Sequence, residues 1–263
     1  MPIVGRVRLA FTCCALLALV AVVAVTAGTA ADPLPSPPPP ADAKQCALGS
    51  GGLRSRPFWF HAADGIVLAG AVYGRGARGV VLAPESGGSH CGWLPFIKRL
   101  VGAGYHVLAY DMSGRGESPA LDPKKWPIRY DPDVVGAARE LRRLGARTVV
   151  AGGASLGGAS VLAAGPKLTQ IAAAIIDFSG EPDLANAAAA LPHITLPMLV
   201  VGSRTDPYAD AQTSRRVMAT VASKDKQLLL LPGGGHGWDL VQTDPSAAHA
   251  RTVVLRWLAA HDR

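Results

Sequence analysis

Short apolar runs alternate with longer amphipathic segments from about residue 56 to the end of the chain. The runs rich in Val, Leu, Ile and aromatics are Phe58–His61, Val67–Tyr73, Gly79–Ala83, His106–Tyr110, Thr148–Gly152, Ala173–Phe178, Met198–Val201 and Gln227–Leu231. Each is too short for a stable helix and suits a buried strand. Between them, apolar positions at helical spacing predict helices over Trp93–Ala103, Asp133–Leu144, Leu156–Ala164, Asp210–Val221 and Ala247–His261. Strand and helix in alternation are the pattern of a parallel sheet covered on both faces. The expected class is therefore α/β, a single domain with a mostly parallel eight-stranded sheet flanked by helices. The first two strands read as an antiparallel pair joined near Ala69-Gly70. The stretch between Phe178 and Leu196 has room for one small helix, Leu184–Ala190, and for no large cap domain.

The N-terminal pattern is different. Arg6 and Arg8 precede an uncharged, mostly apolar stretch from Leu9 to Ala27, and Gly28-Thr29-Ala30-Ala31 supplies small residues for cleavage. Residues 1–31 read as a signal peptide ending at Ala30 or Ala31. The apolar stretch is long for such a segment, so an uncleaved membrane anchor is the alternative. Both readings place the domain outside the cytoplasm, secreted or in the cell envelope. Pro33 to Pro40 form a stiff spacer. Residues 32–55 are then linker and N-terminal arm, and residues 56–263 the folded domain. Cys13 and Cys14 lie in the signal segment, which leaves Cys46 and Cys91. An oxidising compartment would join them; two isolated thiols are the other reading.

Composition narrows the classes. Of 263 residues, 49% are hydrophobic and only 17% charged, which suits a packed domain and argues against disorder. The formal charge of +7 is scattered, as at Arg139, Arg142, Arg143, Lys224 and Lys226, with no basic stripe interleaved with aromatics. No nucleic-acid partner is expected. No group of His, Cys, Asp and Glu has metal-ligand spacing, so no metal site is expected.

The chemistry centres on Gly153-Ala154-Ser155-Leu156-Gly157, between the run Thr148–Gly152 and a predicted helix. A serine on a tight strand-to-helix turn is pushed outward at a helix N-terminus, and flanking glycines avoid clashes there. No phosphate-cradling glycine pattern competes with this reading. A serine nucleophile needs a general base and a carboxylate that orients it. Asp206 follows Met198–Val201 and His236, in Pro232-Gly233-Gly234-Gly235-His236-Gly237, follows Gln227–Leu231. Both positions suit loops at the carboxyl ends of strands. Asp177 is the alternative acid, and Asp210 is a better helix cap than Asp206. His90 lies near the loop Pro84-Glu85-Ser86-Gly87-Gly88-Ser89. Leu156 and Ser86 are the expected backbone donors to an oxyanion.

With these pieces placed, the chain resembles the α/β-hydrolase superfamily. Phe60–Gly70 is similar to the start of the serine-aminopeptidase and monoacylglycerol-lipase-like branch, and Asp111-Met112-Ser113-Gly114-Arg115-Gly116-Glu117-Ser118 resembles that branch's loop after the fourth strand. The similarity spans about residues 56 to 260. It departs at Pro84-Glu85, where the branch usually has His-Gly. The resemblance implies a serine hydrolase, with Ser155, His236 and Asp206 as catalytic residues, acting on small-molecule carboxylic esters without a cofactor. Two rivals stay open. One is an exported peptidase in which Glu85 binds a substrate ammonium group. The other is a non-catalytic binding protein on the same fold.

Overall fold

In the strand Arg78–Ala83, Val80 and Leu82 pack into one hydrophobic cluster, and Val81 and Ala83 into another. The period of two sends successive side chains to opposite faces, so a strand apolar at every position must be covered twice. The computed structural model describes Cys46, residues 52–122, residue 124 and residues 129–262. The predicted signal segment and the Pro33–Pro40 spacer lie outside the described residues. Eight strands form one sheet: β1 Ser55–His61, β2 Val67–Tyr73, β3 Arg78–Ala83, β4 His106–Tyr110, β5 Thr148–Ala154, β6 Ala174–Phe178, β7 Met198–Ser203 and β8 Lys226–Leu231. Their order is β1-β2-β4-β3-β5-β6-β7-β8. β1 and β4 each pair antiparallel with β2, and every other pairing is parallel. The central strands are buried along nearly their whole length, whereas the edge strands β1 and β8 are only partly so.

The helices are α1 Leu94–Gly102, α2 Asp131–Arg143, α3 Leu156–Leu168, α4 Ala187–Ala190, α5 Ala211–Thr220, α6 Asp239–Gln242 and α7 Ala247–His261. One face of the sheet is covered by α2, α3 and α5 through residues such as Val134, Leu162 and Val217. The other is covered by α1, α6 and α7 through Phe96, Leu240 and Val254. The chain runs from β3 through α1 to β4 on one side, then through α2 to β5 on the other. The sheet order therefore reverses between β3 and β5, and a crevice opens beyond their carboxyl ends. Among the described residues, no helix is long and apolar enough to cross a membrane.

Three expectations need correction. β1 and β2 are joined through residues 62–66, where Ala62 N donates to Ile66 O at 2.8 Å and Gly65 turns at φ 92°. Gly70 sits mid-strand opposite Phe58 instead. A side chain there would press on Phe60 and on the Ala109 carbonyl, at 3.0 and 3.1 Å. The small helix after β6 is only Ala187–Ala190, because Ala185 and Asn186 take positive φ values that no right-handed helix accommodates. Conversely, α3 runs past Ala164 and through Pro166 to Leu168. Pro166 removes a single backbone donor near the helix end, and burial of Ala164 and Leu168 outweighs it.

Candidate active site

Ser155 joins β5 to α3 at φ 53° and ψ −117°, a conformation that L-residues rarely hold. Its N–H donates to Phe178 O at 3.0 Å, and its hydroxyl makes no capping bond to the helix it precedes. The flanking glycines are steric requirements. A Cβ at Gly153 would lie 2.2 Å from Gly157 O, and one at Gly157 would lie 2.5 Å from both Ala83 O and Pro84 O. The N-terminus of α3 is thus pressed against the end of β3, at the crevice where the sheet order reverses.

Parallel pairing carries the other candidates to the same edge. Ser203 at the end of β7 is level with Leu231 at the end of β8. Just beyond, the His236 Nδ1 lies 2.9 and 2.8 Å from the two oxygens of Asp206. Asp206 Oδ1 also accepts from Tyr208 N and Ala209 N, at 2.9 and 3.0 Å, so its own loop holds the carboxylate that meets the imidazole. Burial works to raise Asp206, but its bonds to His236 and these two N–H groups prevail, and its pKa lies below the usual carboxylate value. Burial likewise works to lower His236. The bond and charge of Asp206, with Glu85 and Glu181, outweigh it and raise the imidazole above its ordinary 6.5. Asp210 is the cap of α5, accepting from Thr213 N at 2.9 Å, so Asp206 is not needed in that role.

Asp177 makes a different contact. It is wholly buried beside the turn from β5 to α3, where its Oδ1 accepts from Gly180 N at 2.7 Å, and burial pushes its pKa up to about 7. It senses the charge of His236, while the hydrogen bonds at the imidazole Nδ1 go to Asp206. His90 is buried against Asp111, with Nδ1 2.8 Å from Asp111 Oδ1. The same oxygen accepts from His90 N, and Oδ2 accepts from Glu117 N. The loop from Asp111 to Ser118 is thus a brace for the segment that follows the Ser86 loop. Cys46 and Cys91 are joined as a disulfide. His90 Nε2 stands 3.4 Å from Cys46 Sγ, and these three side chains cluster. With the sulfurs bonded to each other, they offer no thiolates to a metal.

Leu156 is the first residue of α3 and is buried. Ser86 is exposed, and its carbonyl accepts from Arg115 Nη1, which steadies that loop. A cleft of about 490 Å³ is bounded by Ser86, Gly87, Gly88, Ser89, Arg115 and Gly116.

No protein-family model matches the chain, and no curated protein does. Solved structures do. An esterase of Pyrococcus furiosus superposes with a TM-score of 0.72 at 14% identity, over 87% of this chain and 98% of that one. A monoacylglycerol lipase of Paleococcus ferrophilus gives 0.63 at 18%, over 74% and 99%. A dienelactone hydrolase of Anabaena variabilis gives 0.62 at 22%, over 80% and 99%.

The fold is that of an α/β-hydrolase. On this α/β-hydrolase scaffold, two residues that the pattern of the chain did not single out stand beside His236. Tyr208 is 67% exposed, with its ring centroid 4.9 Å from the imidazole. Its only signal in the sequence is its place two residues after Asp206. Trp238 packs its indole over Gly88 and Gly92, where any Cβ would lie within 2.3 Å of the ring. Glu85 is half-buried, and its Oε1 accepts from Trp238 N at 2.9 Å. That contact turns the carboxylate toward the protein's own backbone, which weighs against an ammonium-binding role.

Proposed function

We propose that this protein is a serine hydrolase of small-molecule carboxylic esters. The observation that carries the reading is Ser155, held at positive φ at a helix N-terminus on the sheet edge where His236 and Asp206 are bonded. Ser155 Oγ attacks the acyl carbon while His236 Nε2 takes the hydroxyl proton. Asp206 holds the imidazole with Nδ1–H toward the carboxylate and stabilises the imidazolium. The N–H groups of Leu156 and Ser86 donate to the oxyanion, helped by the positive end of α3. His236 returns the proton to the departing alcohol, and water then repeats the sequence on the acyl-enzyme to release the acid. That three proteins of similar fold are an esterase, a lipase and a dienelactone hydrolase supports the ester class.

A fluorophosphonate probe should label the protein, and Ser155→Ala should abolish labelling and reduce p-nitrophenyl acetate turnover by about 10³-fold or more. Labelling that survives this change defeats the assignment. Absence of labelling in the unaltered protein favours the non-catalytic reading. We also propose that the protein acts outside the cytoplasm, a reading supported by the basic and apolar N-terminal pattern and by the Cys46–Cys91 bond. Sequencing the exported protein should find a new N-terminus at Ala31 or Asp32. An intact Met1 on a membrane-bound product indicates an anchor instead.

A further inference from the structure

Glu85 belongs to the loop after β3, directly before Ser86. Its carboxylate crosses to the loop after β8 and accepts the N–H of Trp238, two residues past His236. The intervening Gly237 turns at φ 54°, and a Cβ there would fall 1.9 Å from Glu85 Oε1. The histidine loop is therefore shaped around this carboxylate. Ring packing closes the same seam: Trp238 lies over Gly88 and Gly92 and edge-on to Trp93, with centroids 6.0 Å apart. Gln242 Nε2 adds a bond to Gly92 O at 2.9 Å.

We propose that Glu85 is a positioning residue, whose carboxylate fastens the loop carrying His236 to the loop carrying the Ser86 N–H. The proposal rests on the reading of Ser155, His236 and Asp206 as the reacting group. A base and an oxyanion donor must be held in a fixed relation, and here they sit on loops from β8 and β3, which are separated in the sheet by β5, β6 and β7. A hydrogen bond from one loop to the other sets that relation directly.

The charge has a second effect. His236 faces Asp206, Glu85 and Glu181, with buried Asp177 also within reach of its field. Glu85 in turn faces His236, Asp206 and Asp239, and burial raises its own pKa. Each anion near the imidazole favours its protonated form.

The test uses the full mature protein with Glu85→Gln and Glu85→Ala. Glutamine keeps an acceptor for Trp238 N–H and loses the charge; alanine loses both. In an NMR titration, His236 should protonate at lower pH in Glu85→Gln than in the unaltered protein. With p-nitrophenyl acetate, Glu85→Ala should lose about tenfold or more in kcat with KM little changed, and Glu85→Gln should recover part of that loss. An unmoved His236 titration, with equal kcat in both variants, overturns the proposal. So does a rise in KM at constant kcat, which marks Glu85 as a substrate contact. If the titration moves but the probe never labels Ser155, the hydrolase reading fails while the Glu85 fastening stands. Should Glu85→Ala not fold, hydrogen exchange at Trp238 N–H in the unaltered protein decides: protection is expected from the bond to Glu85, and exchange at the free-chain rate overturns the fastening.

Discussion

His236 titrates among carboxylates, and that fixes the expected pH dependence. A general base works only unprotonated, so in the proposed mechanism activity rises as pH passes upward through the imidazole pKa. Asp206, Glu85 and Glu181 raise that pKa despite burial. The acid limb of kcat/KM should therefore lie above 6.5, the ordinary histidine value. Asp206→Asn removes the closest of these anions and the carboxylate acceptor that fixes Nδ1–H. It should move the limb to lower pH and reduce kcat by about 10³- to 10⁴-fold. A pH–rate profile of both proteins checks this, and coincident acid limbs would count against the Asp206–His236 pairing as the working one.

At the scale of elements, the turn from β5 to α3 concentrates the steric demands. Gly157 has carbonyls of the β3 terminus 2.5 Å from where a Cβ would stand, and neither oxygen can yield without moving that strand end. Gly157→Ala should destabilise the fold by about 1–3 kcal/mol. It should also weaken probe labelling of Ser155, because the displaced strand leads into the Ser86 loop. Chemical denaturation and labelling measured on one preparation check both effects. A variant with unchanged midpoint and labelling would mean that the turn is more pliable than its packing implies. β2, β4 and α7 have the expected boundaries, because their apolar periodicity is continuous. α3 runs past its expected end at Ala164 and through Pro166 to Leu168, where tertiary burial overrode a local breaker. The small helix after β6 came out shorter because positive φ at Ala185 and Asn186 has no apolar signature.

Across the whole molecule, burial of acids links stability to pH. Asp177 lies wholly buried beside the turn from β5 to α3, and desolvation lifts its pKa from 3.8 to about 7. The folded protein then keeps a proton that the unfolded chain releases near its ordinary carboxylate pKa. Its contribution is full below 3.8 and is lost as pH rises toward 7. Asp133, also raised to about 7, adds a slope of the same sign. Asp177→Asn should therefore show a flatter decline of Tm between about pH 4 and 7 than the unaltered protein. Parallel melting curves across that range check it, and an identical decline in both proteins would contradict a protonated Asp177.

The order of Ser155, Asp206 and His236, each just past an apolar run, was legible in the sequence, because a parallel sheet puts every strand's carboxyl end on one edge. The glycines around Ser155 were legible too, since only a residue without a side chain fits so close to a neighbouring strand. Contacts between distant loops were not. That Asp206 rather than Asp177 bonds His236, that Tyr208 lies against the imidazole, and that Glu85 reaches Trp238 all depend on how loops from separate strands pack together. Periodicity records which face of an element is buried. It carries no record of which polar group on one loop meets which on another, because those partners are paired by position in space and not by spacing along the chain.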